Sequence, residues 1–131
     1  MKTELIKKIY NKYNLERSDV FRHQHYIIIT RSGIEKIIDI ENIFIRYDVL
    51  KLEPRYAGVK AIAIKGEKTL ETLASAYKGE TFKDGNTNSW YVLEMAQKRA
   101  MARATLEITG MYKLGFKGED ESDDFKKSNN K

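Results

Sequence analysis

The sequence predicts an α+β fold: an antiparallel β-meander of three to five strands, covered by a long C-terminal helix and preceded by a short N-terminal one. Three observations carry this. The stretch NTNSWYVLEMAQKRAMARATLEITG, Asn86 to Gly110, opens on capping residue types, runs on through good helix formers without proline, and stops at a glycine. Between Arg22 and Lys65 the pattern is instead β-branched and alternating. The connections between those runs are too short for crossover helices, so the strands should be antiparallel and segregated from the helix.

Taken in order, Lys2 to Tyr13 places Leu5, Ile6, Ile9, Tyr10 and Tyr13 at helical spacing, with lysines opposite. This helix should pack on the domain or on a neighbouring subunit. Asn14 to Phe21 is polar and reads as a connector. Tyr26 to Thr30 reads as a strand, Arg31-Ser32-Gly33 as a turn and Ile34 to Ile40 as the returning strand of a hairpin. Ile43 to Leu52 alternates as a third strand, ended by Pro54. Val59 to Lys65 is a fourth, and Leu70 to Tyr77 a further short strand or a helical turn. Lys78 to Asn88 is a loop. In the long helix, Asn88 or Ser89 is placed to cap the first free N–H groups and Gly110 to close the end in a left-handed conformation. Uncovered, the outer strands would leave open edges.

The 131 residues, 41% hydrophobic, suffice for one core. Residues 1–117 are expected to form a single nucleic-acid-binding domain and 118–131 an acidic, disordered tail. That tail holds Glu119, Asp120, Glu121, Asp123 and Asp124 against three lysines, while Met1–Lys117 carries 21 basic and 14 acidic residues, a net +7. A basic body favours a polyanionic partner. Cysteine is absent, which excludes disulfides and thiolate chemistry. No apolar run approaches the roughly 18–20 residues of a membrane span, and the first residues lack a signal-peptide core. A cytoplasmic location is expected, the host cytoplasm if a phage encodes the chain.

Chemistry-bearing patterns are sparse. His23 and His25 form an HxH pair, but two histidines without cysteine need distant carboxylates to complete a metal site, so neither a metal nor a cofactor is expected. No phosphate-binding glycine loop and no catalytic triad motif is present. Asp48 and Glu53, with Lys60, fit a metal-dependent nuclease pattern only loosely; that enzyme is the alternative reading, and an adaptor protein without nucleic-acid binding is another.

The basic and aromatic residues say more. Val92, Met95, Ala96, Ala100, Ala102 and Leu106 share an apolar helix face, and Arg99 and Arg103 fall within it. Buried guanidinium groups need a carboxylate, carbonyls or a phosphate. Two readings stand: the arginines snorkel past the small alanines to protein acids or water, or they clamp phosphates in a basic groove. Lys98 lies off that face, a solvated charge or a further member of the groove. Tyr26, Tyr47, Tyr56, Trp90, Tyr91 and Tyr112 are interleaved with Arg22, Arg31, Arg46, Lys51, Arg55, Lys60, Lys98 and Lys113. Such mixtures suit single-stranded nucleic acid, in which bases stack and cations track the backbone. Arg46, Arg55, Tyr47 and Tyr56 join Arg99, Arg103 and Lys98 as the expected binding set.

MAQKRAMARATLEITGMYKLGFKGEDESDDF (Met95–Phe125) resembles the end of the core domain in phage single-strand annealing proteins of the essential-recombination-function type. There an Arg-containing, Ala/Leu-rich helix precedes a glycine turn and a run of acids. ITRSGIEKIIDIENIFIRY (Ile29–Tyr47) is similar to the hairpin and strand before that helix. The resemblance implies a meander-plus-helix fold, ring or filament homo-oligomers, and DNA held along a basic groove with its bases exposed for pairing. It implies no catalytic residues. Arg99, Arg103, Glu119, Asp120 and Glu121 carry over by position. The tail motif Asp123-Asp124-Phe125 is similar to the acidic, phenylalanine-bearing tips of bacterial single-stranded-DNA-binding proteins. It could present itself to a replication or recombination partner, compete with DNA for the groove, or serve only solubility. The expectation is a non-catalytic single-stranded-DNA-binding protein of phage or mobile-element recombination, annealing strands as an oligomer.

Overall fold

A computed structural model describes residues 2–80, 84–87, 89–119 and 121. The order is α1 (Lys2–Tyr13), β1 (Val20–His23), β2 (Tyr26–Ile29), α2 (Arg31–Glu41), β3 (Phe44–Glu53), β4 (Tyr56–Lys65), β5 (Lys68–Tyr77), α3 (Val92–Ile108), a 3-10 turn (Met111–Leu114) and β6 (Phe116–Gly118). The chain is α+β, with the meander and the long helix where the sequence puts them.

The strands form two sheets. β3, β4 and β5 make an antiparallel meander, and β1, β2 and β6 a smaller sheet in which β6 runs parallel to β2, Ile27 opposite Phe116. α3 lies between them, packing on β4 and β5 on one side and on α2 and β6 on the other. That position explains its composition. Ala96, Ala100 and Ala104, one turn apart, are wholly buried, as are Ala57, Ala61, Ala63 and Ala76 on the strands. Small side chains on both layers let the helix axis approach the sheet closely. Only Glu94, Gln97 and Glu107 of α3 are exposed, the pattern of a central rather than a surface helix. Ser89 Oγ accepts the Tyr91 N–H at 2.9 Å just ahead of α3, and Gly110 follows it at φ +76°. Asn88 lies outside the described residues.

Ile34 to Ile40 is helix, not the expected strand. Ile34, Ile37 and Ile38 recur at three- and four-residue spacing, and Ile34 and Ile37 are buried. That period outweighs the β-preference of isoleucine, which reflects packing more than backbone. Asn42 ends α2 at φ +55°. Gly33 sits in its first turn, where a Cβ would come within 2.7 Å of Ile29 Cγ2 and 2.8 Å of the Asp19 carbonyl. The hairpin turns earlier, at Gln24-His25, with Gln24 at φ +56°. Asn14 to Phe21 is therefore not all connector: it includes the start of β1.

Asp19 fixes that connector. Its carboxylate, 1% exposed, accepts from Lys36 Nζ at 2.7 Å, Ser32 Oγ at 2.5 Å and the Glu16 N–H at 2.8 Å. Burial alone would push the carboxyl up; the hydrogen bonds from Lys36, Ser32 and Glu16 outweigh it and hold Asp19 below the ordinary aspartate range.

Candidate nucleic-acid interface

The residues expected to bind nucleic acid do not converge. Arg99 is 3% exposed and donates from Nη2 to the Asn86 carbonyl at 2.5 Å; its Nε meets no acceptor among the described residues. Arg103 donates from Nη1 to the Leu73 carbonyl of β5 at 3.1 Å. Both guanidinium groups tie α3 to backbone carbonyls around β5, neither has a carboxylate partner among the described residues, and Arg99 is buried rather than open to a groove. Alanines leave room for the arginine stems, and carbonyls at the sheet margin satisfy the charge more locally than a ligand would. Lys98 pairs with Glu119 at 3.4 Å and is not a free solvated cation.

The others are dispersed. Arg46 is exposed on the face of the meander turned away from α3, beside Asp48 and Lys60, which are themselves paired at 4.0 Å. Tyr56, half-buried, lies over Gly58 on that same face. Tyr47 points the other way, into a small groove with Arg31, Gln97, Lys98 and Met101; burial pushes its phenol up, and nearby Arg31 offsets part of the shift. Arg55 leaves the β3–β4 turn and lies 5.1 Å from the centre of the Trp90 ring, with Lys78 Nζ at 4.3 Å from the same ring. Trp90 is 59% exposed and Tyr91 70%. The indole is thus flanked by two cations at the N-terminal end of α3, with Glu53 and Glu94 beside it and Glu80 3.7 Å from Arg55.

A second constellation sits beyond the other end of α3. α1, the β1–β2 hairpin and the 3-10 turn enclose a cleft of about 760 Å³. Its apolar lining comes from Leu5, Ile6, Ile9, Ile27, Leu114 and Phe116; its polar lining includes Arg22, His25, Tyr26, Tyr112 and Lys113. No carboxylate lines it among the described residues. Lys117 Nζ lies 5.2 Å from the Tyr26 ring centre and 5.1 Å from that of Tyr112, bridging the two aromatics. Arg22 and Lys113 are exposed and have no ion pair among the described residues. Tyr26, Tyr112, Arg22 and Lys113 belong to the basic-aromatic mixture visible in sequence. Their meeting depends on β6 pairing with β2, a parallel contact no local pattern announces.

The acidic segment begins inside the body. Gly118 ends β6; Glu121 accepts from the Gly118 N–H at 2.9 Å and from Tyr112 Oη at 3.0 Å. Glu119 forms an ion pair with Lys98 and accepts, at 3.4 Å, from the Arg31 N–H at the start of α2, a favourable place for a carboxylate. Asp120, Asp123, Asp124 and Phe125 lie outside the described residues. Asp48 and Glu53 sit apart, facing Lys60 and Lys51, and no three His, Asp or Glu side chains converge on a metal-sized site among the described residues. His25 lies in the hairpin turn rather than on one strand face with His23. Among the described residues no helix is long and apolar enough to cross a membrane.

Comparison with protein-family models, with curated proteins and with solved structures returned no match.

Proposed function

We propose that the protein binds single-stranded nucleic acid, DNA before RNA, without catalysing a reaction on it. The observation that carries this reading is the cleft that sets Tyr26 and Tyr112 beside Arg22, Lys113 and Lys117, with Glu121 held on the Tyr112 hydroxyl. Bases splayed from a single strand stack on tyrosine faces, at roughly 1–3 kcal/mol per base, while exposed cations neutralise the adjoining phosphates. A duplex keeps its bases stacked inside and offers this cleft only its backbone. The Trp90 platform, at the far end of a 17-residue helix and so on the order of 25 Å away, supplies a second stacking point for the same strand. The basic body supports the reading through long-range attraction.

Within it, the chain acts as a homo-oligomer in phage or mobile-element recombination, holding strands for annealing in the host cytoplasm, and the acidic segment presents Asp123-Asp124-Phe125 to a replication or recombination partner. The test is fluorescence anisotropy with labelled single- and double-stranded oligonucleotides at two salt concentrations. Tighter binding of the single strand, falling with salt, is expected. Equal affinity for both forms, or none at low salt, overturns the proposal.

A further inference from the structure

The two edges of the meander are treated differently. On the β5 side, Asn86 Oδ1 accepts the Tyr77 N–H at 2.7 Å, Asn86 Nδ2 donates to the Ser75 carbonyl at 3.2 Å, and Arg103 reaches the Leu73 carbonyl. Between Leu73 and Tyr77 the chain covers that edge itself. On the β3 side no described strand pairs, and Phe44, Val49, Leu50 and Leu52 are each more than half exposed. A long edge strand of this kind invites pairing with another chain.

The strand's own sequence selects the partner. β3 carries a bulge at Leu50: Val49 stands opposite Val59 and Lys51 opposite Gly58, with Leu50 the extra residue. The bulge shifts the side-chain alternation by one. Arg46 and Asp48 before it therefore share the outer face with Lys51 and Glu53 after it, while Tyr47, Val49 and Leu52 share the other. We infer that β3 pairs antiparallel with β3 of a second copy about a twofold axis at the bulge, between Val49 and Leu50, joining two meanders into one continuous sheet. In that register Arg46 faces Glu53 of the second copy, Asp48 faces its Lys51, and Tyr47 faces its Leu52. Each pair lies on one face and each charge meets its opposite. An unbulged strand cannot do this, because the two residues of every such pair would fall on opposite faces. Asp48, Lys51 and Glu53 are more than half exposed, held only by weak pairs of 3.8–4.0 Å. Arg46 has no ion pair among the described residues. All four side chains are thus free to turn toward a second copy.

This inference does not depend on nucleic-acid binding, and its test uses none. Sedimentation equilibrium of the whole chain is expected to show a monomer–dimer equilibrium. Glu53→Arg sets like charges opposite each other twice, and should raise the dimer dissociation constant about tenfold or more. Adding Arg46→Glu to it should restore the constant to within about threefold. The chain has no cysteine, so Arg46→Cys with Glu53→Cys gives an independent check. In one extended strand those positions are roughly 23 Å apart, too far for an internal disulfide. Oxidation should yield a cross-linked dimer. A monomer at all concentrations, a dimer indifferent to Glu53→Arg, a swap that fails to rescue, or no cross-link each overturns the inference.

Discussion

Arg99 shows how a residue type misleads when its surroundings are unknown. A guanidinium on an alanine-rich helix face looks like a phosphate clamp, yet here it holds the Asn86 carbonyl in the loop that leads into α3. Arg99→Ala should therefore lower unfolding free energy by about 1.5–3 kcal/mol, the range for a charged hydrogen bond, in urea titration, while leaving oligonucleotide affinity of the folded protein unchanged. Asp19 gives a second prediction. Its carboxyl and that of Glu41 are both held below their ordinary values: burial opposes this in each, and hydrogen bonds from Lys36, Ser32 and Glu16 on one, and from Tyr13 and Lys12 on the other, prevail. A depressed carboxyl contributes stability above its ordinary value and loses it as pH falls through the depressed one. The urea midpoint should hold near neutrality and drop below about pH 4.5, the upper of the two ordinary values (3.8 and 4.5). Lys36→Met should make that drop shallower.

At the level of elements, the helix-meander arrangement was legible because each piece has a strong period and clear punctuation. α1 follows its apolar spacing, α3 begins only at Val92, after Tyr91 rather than directly after Ser89, and ends just before Gly110, and Pro54 follows the end of β3. α2 was misread because its isoleucines favour strand statistically. What decides it is tertiary: Gly33 against Ile29 and Asp19, and Ile34 and Ile37 in the core. β6 spans three residues and is defined only by its partner β2, so no sequence window reveals it. Much of the cleft was hidden for the same reason, its basic and aromatic residues recognisable singly but not as neighbours. Two substitutions test the packing account by thermal unfolding. Ala100→Leu should destabilise by about 2 kcal/mol or more, because the helix has no room above the alanines of β4 and β5. Gly33→Ala should cost about 1–3 kcal/mol, since the buried Ile29 Cγ2 and the Asp19 carbonyl, neither of them the end of a flexible chain, meet the new methyl.

For the whole molecule, the surfaces proposed to meet nucleic acid lie beyond the two ends of α3 rather than along it. The basic body, the exposed Trp90 and Tyr91, and the cleft beside the 3-10 turn support that proposal. Glu119 and Glu121 contact the body, so a truncation meant to remove only the acidic tail should begin after Glu121; it is expected to leave oligonucleotide binding intact or tighter. The most direct measurement is the affinity of the Arg22→Ala, Lys113→Ala double variant for a labelled single strand, alongside its melting temperature. Both side chains are exposed and without ion pairs among the described residues, so the fold should be unaffected. Affinity should fall about tenfold or more, and the salt dependence should lose one to two units of slope. An unchanged affinity and slope in a normally folded variant would contradict the assignment of the cleft.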